Sequence, residues 1–108
     1  LDSLTARYYY TVGGPQGQVF TCQIAPCGTS NVIGTFNTGY VDIDFTAQAG
    51  NIAAGSDTGE IYIIIRKDDW TSYDQSDDYS FDPSNTSYGE ANKITIYQNS
   101  SLVWGIEP

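Results

Sequence analysis

Between Tyr40 and Thr46 apolar and polar side chains alternate without a break, Val41, Ile43 and Phe45 against Tyr40, Asp42, Asp44 and Thr46. Successive side chains of an extended chain point to opposite faces, so this pattern predicts a strand with one buried face. No stretch carries a helical periodicity long enough to call a helix, and there is no repeat or low-complexity segment. The rest reads as further short β-rich runs. Residues 5–12 are followed by the breaker Gly13-Gly14-Pro15, and residues 18–23, 31–36 and 60–66 come next. Residues 47–58, rich in Gly, Ala and Ser, read as a loop, and 93–98 with 102–106 form a closing hairpin around Asn99-Ser100. Several short strands separated by turn chemistry predict an all-β sandwich or jelly roll.

One strand departs from simple alternation. In Ile61-Tyr62-Ile63-Ile64-Ile65-Arg66 the odd positions form an apolar core face, but Tyr62 and Ile64 make the opposite face mostly apolar as well. Either the strand is covered on both sides, or its outer face meets a partner or a flat ligand.

The 108 residues fit a single domain, 1–108. Thirteen acidic residues against four basic ones give a net charge of −9, which makes nucleic acid and anionic membranes poor partners. A divalent cation or a neutral polymer is tolerated. The absence of histidine removes the usual general base, the commonest zinc ligand and any Ser-His triad. Glycoside hydrolysis needs two opposed carboxylates in a cleft, and no spacing among these acids singles out a pair. The sequence therefore reads as that of a binding protein and not an enzyme. Cys22 and Cys27 enclose a short loop; they form a disulfide in an oxidising compartment or remain two thiols. Asn85-Thr86-Ser87 and Asn99-Ser100-Ser101 are glycosylation sequons.

Three blocks carry a resemblance: Leu4-Thr5-Ala6-Arg7-Tyr8-Tyr9-Tyr10-Thr11, Lys67-Asp68-Asp69-Trp70-Thr71-Ser72-Tyr73-Asp74-Gln75-Ser76-Asp77-Asp78-Tyr79-Ser80-Phe81, and the ending 102–108. In wording and spacing they resemble the family 3 carbohydrate-binding modules, the cellulose-binding domains of scaffoldins and bacterial cellulases. The resemblance implies a secreted, extracellular jelly roll with a structural calcium and a planar strip of side chains for cellulose or a related β-glucan. For calcium it implies Thr11, the backbone of Asp74, and Asp77 and Asp78, with Gly13 standing where the family has an aspartate. Two carboxylates, threonine oxygens, a carbonyl and water reach the six to eight oxygens calcium prefers; the alternative is that Asp77 and Asp78 cap a solvated loop.

For the strip, Trp70 matches the family's platform tryptophan, its alternative role being half-buried packing. The family's acidic-aromatic pair after the cysteine is replaced by Gln23-Ile24, and its strip arginine aligns with Ile64. The implied strip therefore reduces to Trp70 with Tyr62 and Arg66, which share a strand face. Trp104 is expected in the core. Tyr8 or Tyr10 is expected to point outward, into the shallow tyrosine-lined groove that family members carry on the opposite sheet.

The resemblance also implies an N-terminally incomplete module, since residue 1 aligns with the start of the family's third strand. Two strands bring roughly six inward side chains, whose loss removes on the order of 10 kcal/mol, comparable to the whole stability of a typical domain. Something must then cover the gap: a longer polypeptide, a sandwich re-tailored around fewer strands, or a strand from a partner chain. The last possibility makes the chain a self-associating extracellular filament subunit, the alternative to polysaccharide binding.

Overall fold

A computed structural model describes residues 1, 3–11, 17–70, 73, 78–84 and 90–108. Seven strands are described: β1 (Leu4–Tyr9), β2 (Gln18–Ile24), β3 (Val32–Asn37), β4 (Tyr40–Phe45), β5 (Tyr62–Lys67), β6 (Thr95–Gln98) and β7 (Ser101–Trp104). Short 3₁₀ turns at Thr29–Asn31 and Ala47–Ala49 complete the elements. Five strands form one antiparallel sheet in the order β3-β4-β1-β6-β7, and β2 pairs with β5 in a second. The chain changes sheet between β1 and β2, β2 and β3, β4 and β5, and β5 and β6, the weaving of a jelly-roll sandwich.

The alternation of β4 sets the layers. Val41, fully buried, shares the inner face with Ile43 and Phe45. Register carries that face across the sheet, because Ala6 lies opposite Ile43 and Tyr8 opposite Val41 on β1, while Gly34 and Phe36 of β3 lie opposite Ile43 and Val41. From the small sheet Phe20, Ile63 and Ile65 close down on it.

The sheets approach closely where Phe20 lies on Gly34: a Cβ built on Gly34 falls 2.2 Å from the Phe20 ring. No side chain at position 34 fits without moving that ring or parting the sheets. Gly34→Ala is accordingly expected to destabilise the fold by about 1–3 kcal/mol through overpacking. A lowered urea midpoint checks it, and trimming the ring in a Gly34→Ala/Phe20→Leu double variant should restore part of the loss.

The closing hairpin is the expected one. Asn99 (φ 48°) and Ser100 (φ 69°) are both left-handed, the two-residue turn whose twist suits a hairpin. After β7, Gly105 at φ 90° turns the tail back under the sheet, so that Ile106 N–H donates to the Asn92 carbonyl at 2.7 Å.

Two expectations are corrected here. Tyr9, not Tyr8 or Tyr10, points outward, because the pairing of β1 with β4 and β6 sends even positions to the inner face. Trp104 lies opposite the inward Ile96 but is 43% exposed, because the two-stranded sheet does not extend over β7. Among the described residues β5 pairs with β2 alone, so its other edge borders this open half of the sandwich.

Candidate functional site

The outer face of the small sheet, with the turn that follows it, carries three of the nine exposed large apolar side chains among the described residues, Ile24, Tyr62 and Trp70; the others lie on β3, β7 and two loops. On β5 this face carries Tyr62, Ile64 and Arg66; on β2, Val19 lies opposite Arg66 and Thr21 opposite Ile64. The register then shifts between Cys22 and Ile24, and the bulge places Ile24 opposite Tyr62. Tyr62 is 46% and Ile24 48% exposed. Of the two alternatives for β5, the fold selects the open one: its outer face is not covered by any described element.

The turn after β5 presents Trp70, 73% exposed. Its N–H donates to the Lys67 carbonyl at 3.1 Å, and Asp68 N–H ties the turn to Gly17 at 2.8 Å. Trp70 sits at φ 63°, a left-handed conformation rare for a bulky side chain and costing on the order of 1–3 kcal/mol. The Arg66 guanidinium lies 4.0 Å from the centroid of the indole, and its Nη1 donates to the carbonyls of Lys67 and Asp68 at 3.3 and 3.4 Å. Of Trp70, Arg66 and Tyr62, which sequence reasoning grouped, the structure stacks Arg66 on Trp70 and puts Tyr62 on the strand face of Arg66. Sequence reasoning missed Ile24, since strict alternation from Phe20 and Cys22 sends Ile24 inward; only the bulge turns it out, and nothing in the local sequence announces a bulge.

Of the expected calcium ligands, Thr11 and Asp78 are described, whereas Asp74, Asp77 and the departure at Gly13 lie outside the described residues. The Asp78 carboxylate is 7% exposed and accepts from Thr11 N–H at 2.9 Å and, more weakly, from its Oγ1 at 3.4 Å. Two residues 67 positions apart thus meet at a buried oxygen, which fits the hard oxygen donors a calcium ion requires. Among the described residues no group of three metal-ligating side chains is complete. A cavity of about 310 Å³ opens beside Asp78 between the sheets, lined by Tyr8, Tyr10, Ile43, Ile63 and Ile65. Burial, with the neighbouring Asp78 charge adding to it, raises the pKa of Tyr8 and Tyr73.

On the outer face of the large sheet Arg7 is held between the rings of Tyr40 and Tyr97, at 4.1 and 4.6 Å from their centroids. Asp42, directly opposite on β4, takes the guanidinium through both oxygens at 2.7 and 3.2 Å, and this pairing outweighs the lowering effect of burial and leaves the Arg7 pKa raised. The hydroxyls of Tyr9 and Tyr97 bond at 2.8 Å, and Tyr97 donates to Glu107 at 2.8 Å. Burial chiefly, and these bonds, push the Tyr97 phenol up to about 12.

Cys22 and Cys27 are free thiols in this structure. Burial first, then the nearby Cys27, pushes up the pKa of Cys22. Asn99 is exposed in its turn, and Asn85 lies outside the described residues.

Comparison with known proteins completes the picture. The chain is 46% identical over its whole length to part of exoglucanase-2 of Thermoclostridium stercorarium and 40% identical to part of cellulosomal-scaffolding protein B of Acetivibrio thermocellus. It spans only 13% and 16% of those two proteins. Its fold superimposes on carbohydrate-binding module CBM3b of the cellulosomal cellobiohydrolase 9A from Clostridium thermocellum with a TM-score of 0.90 at 36% identity, covering all of this chain and 76% of that one. The profile of the cellulose binding domain family matches residues 1–105, and the chain belongs to that family, the family 3 carbohydrate-binding modules.

Proposed function

We propose that the chain is a non-catalytic module that binds cellulose or a related β-glucan through the outer face of β2 and β5. The observation that carries this reading is the exposure of Ile24 and Tyr62 opposite one another on the outer face of β2 and β5, with Trp70 exposed in the turn after β5 and stacked on Arg66 of the same face. Rings and branched aliphatic groups on paired strands form a stiff surface that stacks on the apolar faces of sugar rings and releases water held on both. Trp70 is the main stacking group, with Tyr62 on the outer face of β5. The test is retention on microcrystalline cellulose: a parent protein that stays in the supernatant at all concentrations would falsify the reading.

A structural calcium fits the same reading. Thr11, Asp74, Asp77 and Asp78 would hold it, bracing the loop that follows Trp70 against the end of β1. The relatives, an exoglucanase and a cellulosomal scaffold, support action outside the cell, where Cys22 and Cys27 can be oxidised to a disulfide and Asn99 is open to modification. Among the described residues no helix is long and apolar enough to cross a membrane.

A second reading is favoured by the open half of the sandwich. The exposed Trp104 and the edge of β5 that no described strand pairs offer a place where a strand of a partner chain adds, making a self-associating subunit. Sedimentation separates the two: concentration-dependent growth without cellulose retention supports assembly, and a cellulose-retained monomer supports the module.

A further inference from the structure

We infer that Arg66 is a positioning residue that backs Trp70 and does not itself touch the polysaccharide, an inference that rests on the outer face being the binding face. Three observations place it there. The guanidinium lies 4.0 Å from the indole centroid, so one face of the ring is already taken, while the residue remains 73% exposed and presents the other. Among the described residues Nη1 donates to the Lys67 and Asp68 carbonyls, the backbone of the very turn that carries Trp70. That turn holds Trp70 at φ 63°, which an unsupported tryptophan leaves for the ordinary right-handed or extended regions.

The stack and the two hydrogen bonds therefore act together. They offset the backbone strain, fix the plane of the indole, and remove rotational freedom that the ring otherwise loses on binding. A planar guanidinium is suited to this in a way an ammonium is not, since it covers the ring face and reaches two carbonyls in one geometry. Ile64, the residue aligned with the family's strip arginine, lies one turn of the pleat away on the same face. The positive charge on this face thus belongs to a residue engaged with the platform itself.

The consequence is a coupling that direct contact does not produce. Arg66→Ala is expected to weaken adsorption to microcrystalline cellulose by about threefold to tenfold, the scale of one exposed cation–π contact and its hydrogen bonds. In a Trp70→Ala background the same change should have no further effect. Arg66→Lys, which keeps the charge but not the plane, should recover less than half of the loss. The free-state readout is the fluorescence anisotropy and acrylamide quenching of Trp70 in a Trp104→Phe background, without any ligand. Arg66→Ala should lower the anisotropy and raise the quenching, with an unchanged far-ultraviolet circular dichroism spectrum.

If Arg66→Ala weakens adsorption by the same factor with and without Trp70, Arg66 contacts the polysaccharide and the inference is overturned. Unchanged anisotropy and quenching in Arg66→Ala overturn it as well. If Trp70→Ala adsorbs like the parent, the assignment of the binding face fails, while the ligand-free fluorescence still decides whether Arg66 holds the indole. Should Arg66→Ala unfold, Arg66→Lys and Arg66→Gln carry the same comparison.

Discussion

Trp70→Ala is expected to weaken adsorption to microcrystalline cellulose about tenfold to a hundredfold, by analogy with the 1–3 kcal/mol lost when an aromatic ring is removed from beneath a stacked base. The indole is exposed, so its loss creates no cavity and the fold should be unchanged. Trp70 sits at a left-handed φ of 63°, and alanine tolerates that conformation no worse than tryptophan, so only loss of the Arg66 stack, about 0.5–1 kcal/mol, should lower the melting temperature, by a few degrees. That separation of binding from stability is the useful part of the experiment. The control is Trp104→Ala, which removes a 43% exposed side chain from β7 of the large sheet, outside the proposed binding face, and should leave adsorption unchanged. The measurement is a depletion isotherm for each variant beside its melting curve. Parental adsorption by Trp70→Ala would sink the platform assignment, whatever Tyr62 and Ile24 contribute.

The layers of this fold were legible because β4 alternates strictly and burial of one face leaves a single possible register. The closing hairpin was legible for a local reason, the tolerance of Asn99 for positive φ. The three consecutive tyrosines were legible only in part. Alternation requires Tyr9 to face away from Tyr8 and Tyr10, but which set goes inward depends on pairing with β4 and β6, a non-local fact. Hence Tyr9 joins Tyr97 beside Arg7, and Tyr8 and Tyr10 line the cavity between the sheets.

The site divides in the same way. Tyr62, Arg66 and Trp70 are close in sequence, and period-two geometry puts the first two on one face. Ile24 comes from a different strand and is turned outward by a bulge, so no local pattern could place it. The role of Arg66 was the harder matter. The sequence suggested a charged group offered to a sugar, and the coordinates show that group stacked on the neighbouring ring.

Chelation of calcium is expected to lower the melting temperature by about 10–20 °C, the shift for a domain of this size when a ligand present at a hundred times its dissociation constant, contributing about 2.7 kcal/mol, is withdrawn. The reason is electrostatic. Asp78 is buried at 7% exposure in a chain of net charge −9, and Thr11 N–H is a neutral donor. A buried carboxylate without a cation is costly. Among the described residues the one salt bridge is Arg7–Asp42, on the far face of the large sheet, so no side-chain cation there forms an ion pair with Asp78. Lys67 is the competitor: it is buried too, with its ammonium 5.2 Å from the Tyr73 ring, and could balance the carboxylate at longer range. The two explanations predict opposite results. If calcium does the neutralising, melting shifts with calcium concentration in the parent. Asp78→Asn, nearly isosteric but with a weaker neutral donor set, then melts at a lower temperature that responds far less to calcium. If Lys67 does it, a chelator leaves the parent unchanged, and Lys67→Met becomes the strongly destabilising substitution because it strands the carboxylate.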